Sequence, residues 1–311
     1  MEHYVTLFDS LYLPQGLALH ASLERHAGAY KLWILCMDDI VHEQLSRLPL
    51  PNCTLLKLSE LETPELLAVK PGRSKGEYCW TVTPFSARFV FEADADVQRV
   101  TYVDADVWLR KSPAPLFAEL EDAGAQVLIT DHGYSPEYDE SAKLGQYCVQ
   151  FMSFTRGGEP VRRWWEERCV EWCFARPEDG KFGDQKYLDD WPERFKGLVH
   201  ALRQQHLTLA PWNATRYPYG AGALYHFHGL RILSDRSIYF GHDYALPAPL
   251  VKQVYGPYVN DLREALAKMD SHGIALRPQG PKLSWAQMLY RVGRGIARRL
   301  WRTNQFSFRR G

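Results

Sequence analysis

The sequence predicts an α/β protein with a mostly parallel central sheet, helices on both of its faces and a helical extension at the C-terminus. Three observations carry that prediction. Short β-rich runs alternate with helical ones through the first half of the chain, which is the pattern of strand–helix–strand units. Residues 100–103 (VTYV) are apolar without alternation, as a strand buried on both faces is. With 311 residues, 46% of them hydrophobic, the chain can enclose one large core or a core with a small annex.

The first strand is expected over 3–9, where the opening residues MEHYVTLFD go directly into a strand-like alternation. They lack the basic and apolar stretches of a secretory signal. A helix over 17–26 follows, with Pro14 near its first turn. Then come a strand over 31–37, a helix over 39–48 and a strand over 52–58. Residues 85–94 read as a helix packed through Phe85, Phe89 and Val90, feeding a strand over 99–104. A helix over 116–122 and a strand over 126–130 continue the alternation. From about 145 the pattern changes. A strand is expected over 146–154, then a helix over 160–174 with Val161, Trp165, Cys169 and Trp172 on one face, read as core. Residues 175–225 are loop-rich, with Pro177, Pro192, Pro211 and Pro218. A short strand over 224–228 and a late helix over 257–269 complete the reading. The expected division is a catalytic domain over 1–245, a helical extension over 246–281 and a basic tail over 282–311.

The most informative residues are Asp104 and Asp106, in the triplet that ends the apolar strand. Open α/β sheets bind ligands at the carboxyl ends of their strands. Hard carboxylate oxygens suit Mg²⁺ or Mn²⁺, ions usually held by one or two carboxylates plus substrate phosphates. The pair therefore suggests a metal-bridged nucleotide diphosphate. Asp94 and Asp96 repeat the spacing but follow a helix, so no buried strand aims them at a cleft, and they are read as a connection.

Three further segments fit the same chemistry. Residues 224–229 (LYHFHG) set His226 and His228 two apart beside Gly229, which permits close approach of backbone or ligand. Residues 183–186 offer Asp184, Gln185 and a lysine beside a glycine. Arg88 sits on the helix before the metal strand, in reach of a phosphate or of Glu92 at i+4. In this order, over roughly residues 3–230, these features resemble the GT-A nucleotide-sugar transferases, in particular glycosyltransferase family 8 and related bacterial proteins of glycan biosynthesis.

The resemblance implies a Rossmann-like GT-A domain and a metal-dependent glycosyltransferase that uses a UDP-sugar with retention at the anomeric carbon. It assigns the metal, Mn²⁺ or Mg²⁺, to Asp104, Asp106 and His226. It places the donor against Thr6, Phe8, Asp9, Arg88 and Asp104, and the reacting sugar beside Asp184 and Gln185. Two departures stand out. The lysine–proline–tryptophan segment usual after the histidine is replaced by residues 230–233 (LRIL), which leaves Arg231 or Arg236 to supply the cation. The family's asparagine–glycine segment is replaced by residues 147–150 (YCVQ). Asp131 and His132, at a strand end, are the candidates for orienting an acceptor. The residues themselves tolerate GDP as well as UDP, and a nucleotidyltransferase or a non-catalytic membrane-surface adaptor would carry many of the same features.

The six cysteines lack zinc-site spacing and read as reduced thiols, which suits a cytoplasmic protein. Residues 282–311 hold Lys282 and seven arginines and no acid, a charge of +8 against −8 for the rest of a chain with 37 basic and 37 acidic side chains. In helical projection Trp285, Met288, Leu289, Val292, Ile296 and Leu300 share one face, and Arg291, Arg294, Arg298 and Arg302 another. Such a helix suits an anionic membrane surface, here the inner face of the cell membrane, with a glycan or lipid-linked acceptor there. The acidic body and the lack of any binding motif argue against nucleic acid as a partner. Deleting residues 283–311 is expected to abolish co-sedimentation of the protein with anionic vesicles. Unchanged partition would remove the membrane reading.

Overall fold

The computed structural model describes residues 1–241 and 243–282. The basic tail over 283–311 and His242 lie outside the described residues. The strands in chain order are β1 (Glu2–Phe8), β2 (Tyr30–Cys36), β3 (Cys53–Lys57), β4 (Arg99–Val103), β5 (Val107–Leu109) and β6 (Val127–Asp131). They continue with β7 (Tyr147–Thr155), β8 (Val199–Ala201), β9 (Thr208–Leu209), β10 (Leu224–His226), β11 (Arg231–Ile232) and β12 (Ile238–Tyr239).

Seven of these form the central sheet in the order β3-β2-β1-β4-β7-β6-β8. All of them run parallel except β7, which is antiparallel to both neighbours. The carboxyl ends of β1, β2, β4 and β6 therefore open on one edge, together with the amino end of β7. Side-chain alternation divides the core in two. One face (Tyr4, Phe8, Ile34, Val103 and Phe151 among others) packs on the helices Leu13–His26 and Ala114–Asp122 and on the late helix Gly256–Ser271. The other (Val5, Leu7, Trp33, Tyr102 and Met152) packs on the helices Lys75–Val82, Ser86–Ala93 and Glu159–Glu171. Among the described residues no helix is long and apolar enough to cross a membrane.

A second sheet, β5-β10-β9, lies beyond the end of β4. β10 is antiparallel to β5, with His226 opposite Val107, so a segment about 120 residues downstream returns to the metal-site turn. Aromatic packing fixes it there: Tyr225 and Phe227 are buried against Trp108, Tyr255 and Tyr258, and the Phe227 and Tyr258 rings stack at 3.6 Å.

Several expected bounds move. The first helix starts at Leu13 rather than 17, because Pro14 falls inside its first turn. The strand expected over 224–228 stops at His226, where the Phe227 N–H turns to the Asp106 carbonyl at 2.9 Å. The aromatic-striped helix ends at Glu171, so Trp172 leaves the stripe and Cys173 is the buried residue of that segment. The stretch 59–84, for which the sequence pattern sets no element, holds the helices Pro64–Val69 and Lys75–Val82. Both carried start signals: Thr63 caps the first, ahead of Pro64, and Ser74 and Glu77 form a reciprocal capping box on the second.

The end of β1 is set by a close fit. An ideal Cβ on Gly16 would lie 2.4 Å from the tip of the Phe8 ring. Gly16→Ala gains roughly 1 kcal/mol in helix propensity but forces a buried ring to move, an overpacking cost of about 1–3 kcal/mol. The variant is expected to unfold at lower urea concentration, with the slope of the transition unchanged.

Candidate active site

The chain leaves β4 at Val103 and turns sharply into β5. The Asp104 N–H donates to the Gln150 carbonyl on β7 at 3.1 Å, and the Val107 N–H closes the turn on the Asp104 carbonyl at 3.0 Å. That turn projects Asp104 and Asp106 outward, while the β5–β10 pairing brings His226 across from them. The His226 Nε2 lies 3.1 Å from Asp106 Oδ1 and 3.8 Å from Asp104 Oδ2. One ligand atom from each of the three residues falls within 4.8 Å of the others. Two carboxylate oxygens and an imidazole nitrogen, only partly exposed, are a donor set that fits Mn²⁺ and leaves positions open for phosphate oxygens. The Tyr102 hydroxyl donates to Asp104 Oδ1 at 2.7 Å and fixes which oxygen faces the cluster.

Burial opposes charge on all three residues, and the pairing decides the outcome. His226 is raised well above its ordinary value because Asp106, then Asp104, outweigh the desolvation of the ring. Asp106 is lowered in return. Asp104 is raised, by burial first and by the neighbouring Asp106 charge after the opposing effect of His226. Asp184 completes this acidic pocket. It is 4% exposed, and burial together with the Asp104 charge pushes its carboxyl well up. The Trp165 indole N–H holds the Asp184 carbonyl at 2.8 Å, and Gly183 before it takes φ +51°, where a Cβ would lie 3.3 Å from the Trp80 ring. Gln185, its sequence partner, spends its amide N–H on the Leu144 carbonyl at 2.6 Å.

The donor residues expected from sequence divide. Asp9 lies at the cleft: its Oδ1 accepts the Leu11 N–H at 3.0 Å, and burial raises its carboxyl beside Asp38. Thr6 and Phe8 do not present side chains there. Both are buried on one face of β1, and the Phe8 ring is a core wall against Gly16. Arg88 is held elsewhere, by Glu92 at 2.7 Å one helical turn on and by Glu166 at 3.6 Å, because the helix turns that face away from the strand end. Of the two cations expected after His226, Arg236 is committed to Asp270 through two 2.6 Å bonds. Arg231 stays close enough to Asp106 to lower its carboxyl.

Other residues near the cleft gave no signal in sequence. Tyr12 sits between the two ends of the cleft: Asp106, Arg231, Asp9 and Asp104 all act on its hydroxyl, which burial and then Asp106 push up to about 12. The Arg231 guanidinium lies 6.0 Å from its ring centre. At the end of β2, Asp38 accepts the Ser10 hydroxyl at 2.8 Å and caps the following helix through the Val41 N–H. Arg277, from the segment after the last helix, reaches the same place, donating to Ser10 Oγ at 2.5 Å and lying 3.6 Å from Asp38. Lys75 lies near enough to Asp9 to lower its carboxyl.

The acceptor candidates lie at the end of β6. Asp131 takes the Gly133 N–H at 2.6 Å and the Gln146 amide at 2.9 Å. His132 is 3% exposed, stacks on Tyr134 at 4.6 Å and meets the edge of Trp212 at 5.2 Å. Trp212 in turn touches His226 at 5.4 Å and His228 at 5.7 Å, so one indole links β6 to the metal histidine. Burial pushes His132 down to about 3, which keeps its ring neutral.

No protein-family model matches the chain. It is 30% identical over 297 residues to the uncharacterized protein YfnF of Bacillus subtilis (strain 168), covering 89% of this chain and 95% of that one. The chain belongs to the YfnF family. The uncharacterized protein YfnD of the same strain is 28% identical over 287 residues, covering 86% of this chain and 91% of that one. Two solved structures resemble this YfnF-family chain in fold. One is the galactosyltransferase LgtC, solved with donor and acceptor sugar analogues, at TM-score 0.53 and 14% identity over 84% of this chain and 95% of that one. The other is mouse xyloside xylosyltransferase 1, at TM-score 0.50 and 14% identity over 73% and 98%. The YfnF-family chain thus has the GT-A fold of these glycosyltransferases.

Binding a divalent ion requires a neutral His226, so a proton must leave it first. Mn²⁺ affinity is expected to rise with pH until His226 loses its proton and to level off above that point. In chelated protein, an NMR titration should place His226 above 6.5 and show His132 unprotonated through the whole range above pH 5.

Proposed function

We propose that the protein is a metal-dependent glycosyltransferase that moves a sugar from a nucleoside diphosphate donor, UDP first among the candidates, to a glycan or lipid-linked acceptor. The observation that supports this most directly is the convergence of Asp104, Asp106 and His226, from two segments far apart in sequence, at the carboxyl edge of a GT-A sheet. Asp104, Asp106 and His226 would hold Mn²⁺ or Mg²⁺, which when bound neutralises the diphosphate and makes it a better leaving group.

The chain's own residues supply the rest. Asp9, Asp38 and Tyr12 line the end where the nucleoside would rest, with Lys75 and Arg277 balancing the two carboxylates. Arg231 stands beside Asp106, where charge develops on the departing phosphate oxygen, and stabilises it. Asp184, whose carboxyl burial pushes toward the neutral form, would donate a hydrogen bond to a hydroxyl of the transferred sugar, and Gln185 follows it on the same loop. His132, also neutral, faces the acceptor side next to Asp131. Transfer with retention, and a place on the inner face of the cell membrane through residues 283–302, complete the reading.

Calorimetric titration with UDP and GDP, each with and without Mn²⁺, tests it. One nucleotide is expected to bind tightly only with Mn²⁺. Asp106→Asn should weaken that binding by more than the about 10- to 100-fold typical of disturbing an outer-shell partner. Incubation with the matching nucleotide-sugar should release nucleoside diphosphate. Release of pyrophosphate would instead identify a nucleotidyltransferase, and no binding of either nucleotide would favour a non-catalytic adaptor.

A further inference from the structure

Gln150 lies at the centre of β7, 0% exposed, in the segment where the sequence departs from the asparagine–glycine of related transferases. Its backbone carbonyl accepts the Asp104 N–H at 3.1 Å. Its side-chain Oε1 lies 3.0 Å from His226 Nδ1. One residue thus touches both segments that carry the metal-binding side chains. Its amide Nε2 is buried with no hydrogen-bond partner among the described residues. A leucine would fill this volume without leaving a buried amide nitrogen unpartnered, so packing alone does not account for a glutamine here.

The geometry of the ring settles the direction of the bond. Nε2 faces Asp106 and Asp104, the side on which an ion would be held. A metal-binding nitrogen carries no hydrogen, so the hydrogen of the neutral ring must sit on Nδ1. Oε1 of Gln150 accepts it. Cys148, two residues earlier on the same face of β7, also borders the ring but offers only a weakly accepting sulfur.

We infer that Gln150 is a positioning residue for the metal centre: it fixes His226 with its hydrogen on Nδ1 and Nε2 free, and it ties that histidine to the Asp104 turn. This rests on the metal-binding reading above, and the two fail in different ways.

The test uses the full chain and Mn²⁺ itself, with free Mn²⁺ followed by electron paramagnetic resonance. Gln150→Leu is expected to weaken Mn²⁺ binding about 10- to 100-fold. Gln150→Glu keeps an acceptor at Oε1 and should restore most of the affinity. Long-range ¹H–¹⁵N NMR of the unsubstituted chain saturated with diamagnetic Zn²⁺ should show the His226 hydrogen on Nδ1, a readout that needs no variant to fold. Equal Mn²⁺ affinity in Gln150→Leu would overturn the role of Gln150 while leaving the metal site standing, and a hydrogen on Nε2 in the Zn²⁺-loaded protein would overturn both that role and His226 as a ligand through Nε2. If the unsubstituted chain takes up no Mn²⁺ at all, the metal reading falls and this inference with it.

Discussion

The pairing of β5 with β10 is the contact on which the remainder of the site depends. β5 is three residues long and cannot bury much surface alone, yet it begins one residue after Asp106 and registers His226 against Val107. Two backbone bonds clamp the arrangement, from Asp104 to β7 and from Phe227 to the Asp106 carbonyl. The side chains that lock β10 in place are aromatic and point the other way, into the Trp108, Tyr255 and Tyr258 cluster. Alternation along a strand therefore does two tasks at once: Tyr225 and Phe227 anchor, and His226 between them faces the carboxylates.

That clamp sets Asp106 beside Asp104, and Asp184 lies within electrostatic reach of Asp104, a gathering of acids that is costly without a compensating cation. In the protein alone the two carboxylates favour the imidazolium form of His226, which supplies part of that compensation, and burial pushes the Asp184 carboxyl toward its neutral form. The site is thus built with a deficit of positive charge at its centre. Arg231, which makes no ion pair with Glu or Asp among the described residues, lies close enough to Asp106 to lower its carboxyl. A dication fits that imbalance better than any rearrangement of the neighbouring side chains would.

How much of this was legible in the sequence depended on whether the signal was local. The strand ending in Asp104 was readable because an unbroken apolar run has one plain interpretation, and His226 because a glycine and a second histidine flag it. The acidic triplet at 94–96 lies in the turn after a helix, where the Asp96 N–H folds back on Asp94. Arg88 illustrates the limit. Its position along the chain suits a phosphate contact, but a rotation of about 100° per residue decides which side of a helix reaches the cleft, and Glu92 one turn on captures it. Thr6 and Phe8 show the corresponding effect in a strand, where period two buries both side chains. Tyr12, Asp38, Gln150 and Trp212 had no pattern to announce them. Each is assigned by a contact between segments distant in sequence, which composition and spacing do not encode.

The segment that follows the last helix deserves to be considered as a fastening. Gln279 bonds the Gln15 amide at 2.9 Å and exchanges two bonds with Ile232, and Arg277 reaches Ser10 and Asp38. The N–H of Lys282 bonds Ser234. Residues 277–282 thus form a strap laced across the Ser10–Asp38 end of the cleft and onto β11, which bears Arg231. A chain cut ahead of Arg277 loses all of these contacts, whereas one cut behind Lys282 keeps them.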